Sequence, residues 1–198
     1  MPPLLRNLAL STALIAVPVA ILLGLIAALY RGSLMDRIIS SSTLAVISLP
    51  EFFVAYILIL IFAVQLKWFP SLASVSPDML LGSRLYVSFL PALTMVLIVM
   101  AHMMRMTRAA ILNVMQSAYI ETAELKGLGP MQVVWRHALP NAIAPVVSVV
   151  MLNLAYLVVG VVVVEVVFSY NALGKYLVDH VTKRDLPVVQ AVGLIFAA

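Results

Sequence analysis

Long apolar runs separated by short polar stretches make up most of this chain. Four runs are almost free of charge, at residues 7–30, 38–66, 85–104 and 141–165. A helix needs about 20 mostly apolar residues to cross a bilayer, and each run reaches that length. A further apolar run at 186–198 has only 13 residues. The pattern therefore predicts four membrane-spanning helices and an incomplete fifth.

Helices are expected in these runs because hydrocarbon offers backbone amides no partner outside a helix or a closed barrel. The alternating segments of about 10 residues that are typical of a barrel are absent from the sequence. Prolines within the runs predict kinks or breaks, and Pro50-Glu51 is expected to divide the second run into two half-helices. The first run could instead be a cleaved signal peptide. Its apolar core is longer than the usual stretch of about 7–15 residues and lacks a small-x-small site, which favours a transmembrane helix.

The longest polar stretch, residues 105–140, separates the third and fourth predicted spans. Its pattern predicts a helix, a tight turn, a second short helix and a stop, at Ala109–Lys126, Gly127–Pro130, Met131–Ala138 and Leu139-Pro140. Glycine allows the left-handed helix cap, and proline cannot continue a helix. Connections between helices usually have about 2–8 residues, so this structured stretch predicts a docking surface. The alternative is a connector that rests on the lipid headgroups.

Composition supports the membrane class. Apolar residues make up 64% of the chain and the mean hydropathy is +1.14, whereas soluble domains are about 45–50% apolar. The net charge of +4 is not clustered, which predicts no nucleic-acid partner. Basic residues divide six against six between alternate loops, so charge alone leaves the orientation open. The predicted fold class is an all-α polytopic integral membrane protein, with residues 1–198 forming one transmembrane domain.

The motifs of nucleotide and metal chemistry are missing from the sequence. Gly174-Lys175 is followed by a tyrosine, and Ser169 stands where a phosphate-binding loop needs its first glycine. The three histidines lack metal-ligand spacing and the chain has no cysteine, so no metal and no other cofactor is predicted. No Gly-x-Ser-x-Gly elbow is present either. We therefore expect no enzyme activity and no catalytic residues in this chain.

The polar stretch carries a spaced motif that resembles a known family. Glu121-x-Ala123-x-x-x-Gly127, followed after 11 residues by Leu139-Pro140, resembles the EAA loop of the permease subunits of bacterial ABC importers. The stretch RMTRAAILNVMQSAYIETAELKGL is similar to the peptide/nickel branch of these permeases, as is the later stretch VVVEVVFSYNALGKYLVDHVTKRDLPVVQ. The resemblance covers nearly the whole chain. Members of the branch carry a further N-terminal span and a complete last span, so we expect this chain to lack both.

The resemblance implies a multi-pass permease of the bacterial inner membrane. It would pass peptides or a related small solute, such as a nickel chelate, glutathione or an opine-like compound. The implied partners are ABC ATPase subunits, a second permease subunit, an external solute-binding protein and membrane lipid. Residues 105–140 would form the cytoplasmic loop that docks on the ATPase. Its implied coupling residues are Glu121, Thr122, Ala123, Lys126, Gly127, Leu139 and Pro140.

Two acidic residues are candidates for the translocation pathway or a gate, because a charge at membrane depth is expensive and usually functional. Glu51 could line the pathway or pair with a neighbour, and Glu165 could serve a gate or domain packing. A rival function is a secondary carrier or channel driven by an ion gradient. That class favours paired intramembrane charges or inverted repeats, which the sequence does not show. A membrane scaffold without transport is a third reading.

Overall fold

A computed structural model describes residues 3–75, 79–170 and 173–197. Every regular element in these ranges is helical, which confirms the all-α class. The α-helices are α1 (Pro3–Leu29), α2 (Leu34–Ile47), α3 (Glu51–Leu58), α4 (Leu81–Met115), α5 (Ala118–Leu125), α6 (Pro130–Val133), α7 (Leu139–Val167), α8 (Leu173–Thr182) and α9 (Leu186–Ala197). Two π-helical turns, Ile59–Gln65 and Val134–Ala138, follow α3 and α6.

Three helical stretches in the described part of the chain are long and apolar enough to cross a membrane. They are Leu10–Leu29 in α1, the whole of α4, and the continuous stretch Val134–Val167. The α2 helix and α3 with its π turn pass the same test only as a broken pair, which would make a fourth span. The α9 helix is apolar but shorter. Ala198, the last residue of the predicted run 186–198, lies outside the described residues.

Pro50 divides the second apolar run, as predicted. The α2 helix ends at Ile47, and α3 begins at Glu51 with Pro50 in an extended conformation immediately before it. Proline is well suited to this place, because its fixed φ and missing N–H do no harm at the start of a helix. The Pro50 carbonyl accepts the first helical bonds, from the amides of Phe53 and Val54.

The prolines of the other three predicted spans lie inside helices and end none of them. Pro18 lies within α1, Pro91 within α4 and Pro145 within α7. Of the kinks or breaks predicted at these residues, no break occurs. Helices of membrane proteins tolerate internal proline because neighbouring helices and local adjustments satisfy the freed backbone groups.

The chain forms two compact units, which are described separately. The second unit comprises Ala16–Ile47 and Val99–Leu154. Within it, α1 packs on α4 through buried small residues that recur every fourth position, namely Ala20, Gly24 and Ala28. A Cβ atom on Gly24 would lie 3.0 Å from the Met104 carbonyl oxygen and from Thr107. Small residues therefore set the close approach of these two helices, as in other membrane proteins.

The first unit comprises Met1–Ile15, Ser48–Ile98 and Ala155–Ala198. Aromatic side chains hold the segment after α3 to the start of α4. The rings of Phe69 and Phe89 stack with centroids 4.4 Å apart, and the Tyr86 hydroxyl donates to the Trp68 carbonyl at 2.7 Å. The Ala73 amide donates to the Phe168 carbonyl at 2.8 Å. These contacts fix an otherwise irregular segment.

Candidate functional site

Residues 118–138 form a helical hairpin with its own apolar core, which we call the coupling segment after the role that the sequence resemblance implies for it. The α5 helix contributes Ile120 and Ala123, and the returning helical half of the hairpin contributes Val133 and Ala138, all at most 6% exposed. Leu128 at the turn packs against this core, as do residues at the end of α4. The small side chain of Ala123 thus allows the two halves of the hairpin to pack closely. The coupling segment is a folded element and not a loose linker.

A Schellman motif ends α5 at the predicted glycine. Gly127 has φ +79°, in the left-handed region that glycine enters without steric cost. Its amide donates to the Glu124 carbonyl at 2.9 Å, and the Leu128 amide donates to the Ala123 carbonyl at 3.4 Å. This pair of bonds, with a hydrophobic contact from the following residue, defines the motif. The prediction that the Gly127 cluster ends the helix is confirmed.

The start of α5 differs from the prediction of one helix from Ala109 to Lys126. The α4 helix ends at Met115, and α5 begins at Ala118 after Ser117 adopts an extended backbone. The Ser117 hydroxyl donates to the Val114 carbonyl, and the Ser117 carbonyl accepts from the amides of Ile120 and Glu121. Serine competes for backbone hydrogen bonds in this way and therefore favours helix ends. It can also lie inside a helix, so its presence alone does not predict a break.

The predicted stop at Leu139-Pro140 is wrong. Helix continues from Pro130 through the π turn Val134–Ala138 into α7. In the π turn the Leu139 amide donates to the Val134 carbonyl, five residues back, which changes the backbone spacing just before the Pro140 ring. The Asn141 side-chain amide donates to the His137 carbonyl at 2.7 Å. The irregular turn and this side chain explain how the helix tolerates the proline.

The outer face of the coupling segment is polar with two large apolar side chains. Glu121, Thr122 and Lys126 are exposed, and the Thr122 hydroxyl bonds the Ala118 carbonyl at 2.8 Å. Leu125 is 82% exposed and Trp135 is 59% exposed. Sequence reasoning missed these two apolar residues. For Leu125 the sequence does carry a signal. Its position in the helical repeat places it on the face opposite to Ile120 and Ala123.

The structure brings some predicted site residues together and not others. Five of them lie on α5 or its cap, namely Glu121, Thr122, Ala123, Lys126 and Gly127. Leu139 and Pro140 follow the second half of the hairpin, at the start of α7. Glu51 and Glu165 belong to the first unit and have no part in the coupling segment.

Glu165 is completely buried near the end of α7. Its Oε2 atom accepts a hydrogen bond from the Lys175 amide in the first turn of α8, at 2.9 Å. A carboxylate is favourable at a helix N-terminus, where unpaired amides carry partial positive charge. Glu51, in the first turn of α3, is partly exposed.

An ion pair that sequence reasoning missed joins α2 to α4. Asp36 is 5% exposed, and its carboxylate is bound by Arg108. In the sequence, Arg108 belongs to the family-like stretch RMTRAAILNVMQSAYIETAELKGL. The available signal was that Asp36 is the sole acidic residue before Glu51. An isolated acid beside an apolar run is expected to have a partner.

An open groove of about 580 Å³ lies beside the coupling segment, within the second unit. Apolar side chains of α4 and α7 line most of it, including Met106, Val114 and Val149. Its polar lining comes from Asn113, Ser117, Tyr119 and Asn141. No group of three or more His, Asp or Glu that could hold a metal occurs in residues 3–75, 79–170 and 173–197.

Comparison with known proteins identifies the family. The family model for a binding-protein-dependent transport system inner membrane component matches residues 20–198. The chain is 40% identical to a di/tripeptide transport system permease protein of Pseudomonas aeruginosa, over 99% of this chain and 64% of the relative. It is 34% identical to a dipeptide transport system permease protein of Bacillus subtilis, over 98% and 61%.

A glutathione transport system permease protein of Pectobacterium atrosepticum is 38% identical, over 88% of this chain and 55% of the relative. The chain thus spans less than two thirds of the length of these relatives. The relatives are transport permeases and not enzymes, in agreement with the lack of catalytic motifs. The chain belongs to the family of binding-protein-dependent transport system inner membrane components of bacteria.

Proposed function

We propose that this chain forms the membrane passage of an ATP-driven ABC importer for peptides or a related small solute. The observation that carries the proposal is the coupling segment. It is a folded, capped hairpin with an exposed mixed face, placed between two long apolar helices of a chain from this permease family. The named solutes of the relatives, which are dipeptides, tripeptides and glutathione, favour peptides over nickel chelates or opine-like compounds.

The coupling segment would dock on an ABC ATPase in the cytoplasm. Glu121 and Lys126 offer exposed charges, and Leu125 and Trp135 offer apolar area that docking would remove from water. ATP-driven closure of the ATPase would move the segment and open the passage alternately to each side. A second permease subunit would complete the passage, and an external binding protein would deliver the solute.

The two acidic candidates have different surroundings. The complete burial of Glu165 and its bond to the Lys175 amide support a packing role over a moving gate. Glu51 is partly exposed at the start of α3, directly after the break at Pro50. We retain Glu51 as the residue proposed to line the pathway.

The test is purification of the tagged protein from its native membrane in mild detergent, with mass spectrometry of its partners. We expect co-purification of a subunit with an ABC ATPase sequence. Glu121→Arg should lower its recovery by about tenfold or more, because each 1.4 kcal/mol is a factor of ten and a misplaced like charge costs several kcal/mol. The matched control is Asp179→Arg, which reverses an exposed acid on α8.

Equal loss of the ATPase in both variants would show a general effect of added positive charge. Absence of any ATPase from the wild-type preparation, with the protein inserted and stable, would refute the proposed function.

A further inference from the structure

The ion pair between Asp36 and Arg108 has a specific geometry. The Arg108 Nε atom donates to Asp36 Oδ1 and the Nη2 atom donates to Oδ2, both at 2.8 Å. The two side chains are only 7% and 26% exposed, for Asp36 and Arg108 respectively. Two parallel bonds fix the orientation of the partners as well as their distance. The pair therefore resists rotation and sliding of α2 against α4.

The same carboxylate also holds the turn between α1 and α2. Asp36 Oδ2 accepts from the Gly32 amide at 2.9 Å, and Oδ1 accepts from the Ser40 hydroxyl at 3.0 Å. The Ser33 hydroxyl in turn caps the Asp36 amide at 3.2 Å. Gly32 has φ +80°, which closes the turn tightly. Arg108 thus binds a turn that these hydrogen bonds already hold in place.

Arg108 lies two turns before the end of α4, and the packing there continues into the coupling segment. Val114 and Met115 contact the core of the segment around Ile120 and Val133. The same two residues also contact the cluster that joins α1, α4 and α7, around Ile111. Movement of the segment therefore reaches α4 directly. Apolar contacts have no preferred direction, whereas the paired bonds of Asp36 and Arg108 fix the orientation of the α1–α2 turn.

We propose that Asp36 and Arg108 are positioning residues, which lock α2 to the body that carries the coupling segment so that movement of the segment reaches α2. This inference rests on the proposed function, because it needs an ATPase that moves the segment. It predicts that weakening the pair uncouples transport from ATP hydrolysis, so that hydrolysis continues while less solute is carried per ATP. A merely structural pair would lower both together, through loss of assembled protein.

The experiment uses the complete transporter, with its ATPase, partner permease and binding protein, in liposomes. Solute uptake and ATP hydrolysis are measured on the same preparation. Asp36→Asn keeps the shape of the side chain but removes its charge, and Arg108→Lys keeps the charge but removes the paired geometry. The matched control is Arg105→Lys, at an exposed arginine one turn earlier in α4.

We expect both variants to hydrolyse ATP while solute carried per ATP falls by about fivefold or more, the lower end of typical coupling between sites. The double variant should be no worse than either single variant, because the two residues act as one pair. Arg105→Lys should match the wild type.

An unchanged ratio of uptake to hydrolysis in assembled Arg108→Lys transporter would overturn the inference, and so would an equal fall in Arg105→Lys. Should Asp36→Asn fail to assemble, Arg108→Lys alone decides. Absence of ATP-driven uptake in the wild type would refute the proposed function itself, so the wild-type measurement separates the two failures.

Discussion

At the scale of single residues, Gly174 shows how space alone can demand a glycine. It lies in the first turn of α8, next to the carboxylate of Glu165. A Cβ atom there would lie 2.8 Å from Glu165 Oε2 and 2.8 Å from Val162. The missing side chain lets the start of α8 approach the end of α7 closely enough for the carboxylate to reach the Lys175 amide.

Gly174→Ala is therefore expected to destabilise the protein by about 1–3 kcal/mol, the usual cost of overpacking a tight site. The measurement is the free energy of unfolding in detergent. The control is Gly193→Ala in α9, where no atom lies within 4 Å of the added methyl group. That change should be neutral or stabilise by up to about 1 kcal/mol, because alanine favours helix. Equal effects of the two substitutions would contradict the crowding at Gly174.

At the scale of elements, the coupling segment shows which helix ends are determined by the neighbouring sequence. The end of α5 follows from Gly127, because a left-handed residue with bonds to the preceding turn can be expected wherever glycine follows a helical pattern. The start of α5 directly after Ser117 and the continuation of the helix through Pro140 do not follow in this way. Serine permits either outcome, and the π turn that accommodates proline has no signal of its own in the sequence.

Gly127→Ala tests the cap. We expect the free energy of opening of α5 to fall by about 1–2 kcal/mol, the cost of a left-handed conformation for an L-residue. Space is not limiting, because no atom lies within 4 Å of the added Cβ. Hydrogen exchange of the peptide that covers Ala118–Leu125 measures this opening.

The control for the cap is Gly129→Ala, two residues later. It also meets no atom within 4 Å and needs no left-handed backbone. Its exchange should match the wild type. Faster exchange in both variants would show that the turn depends on glycine flexibility and not on the Schellman geometry.

At the scale of the whole molecule, the proposed function raises the question of the energy source. The printed sequence contains no phosphate-binding loop, and the matching family is described as binding-protein-dependent. In the proposed importer, the energy would come from ATP bound to a separate ATPase subunit. A carrier driven by an ion gradient, which the apolar composition equally allows, would need no ATPase.

Uptake into liposomes that contain the complete transporter distinguishes these two energy sources. We expect uptake only with ATP on the side of the ATPase, and an unchanged initial rate after an ionophore collapses the ion gradients. The physical reason is that the proposed coupling segment transmits mechanical movement and uses no ion gradient. The control is the same preparation with a non-hydrolysable ATP analogue, which should abolish uptake. Uptake that persists without ATP and stops with the ionophore would instead establish the carrier.

The sequence alone determined the helical membrane class, the break at Pro50, the end of α5 at Gly127 and the family. These features depend on neighbours in the chain, such as the length of an apolar run, the fixed φ of proline and the backbone freedom of glycine. A local pattern of residues is therefore sufficient to predict the apolar helices, the break and the cap.

Only the tertiary structure decided the partner of Asp36, the inward face of Ala123 and the burial of Glu165. Asp36 and Arg108 are 72 residues apart, and their meeting depends on the register in which α1 and α2 pack against α4. That register results from the summed packing of small side chains, such as Gly24 against Thr107, and many alternatives share the same local pattern. Contacts between distant residues are products of the whole fold, so no local pattern could predict them.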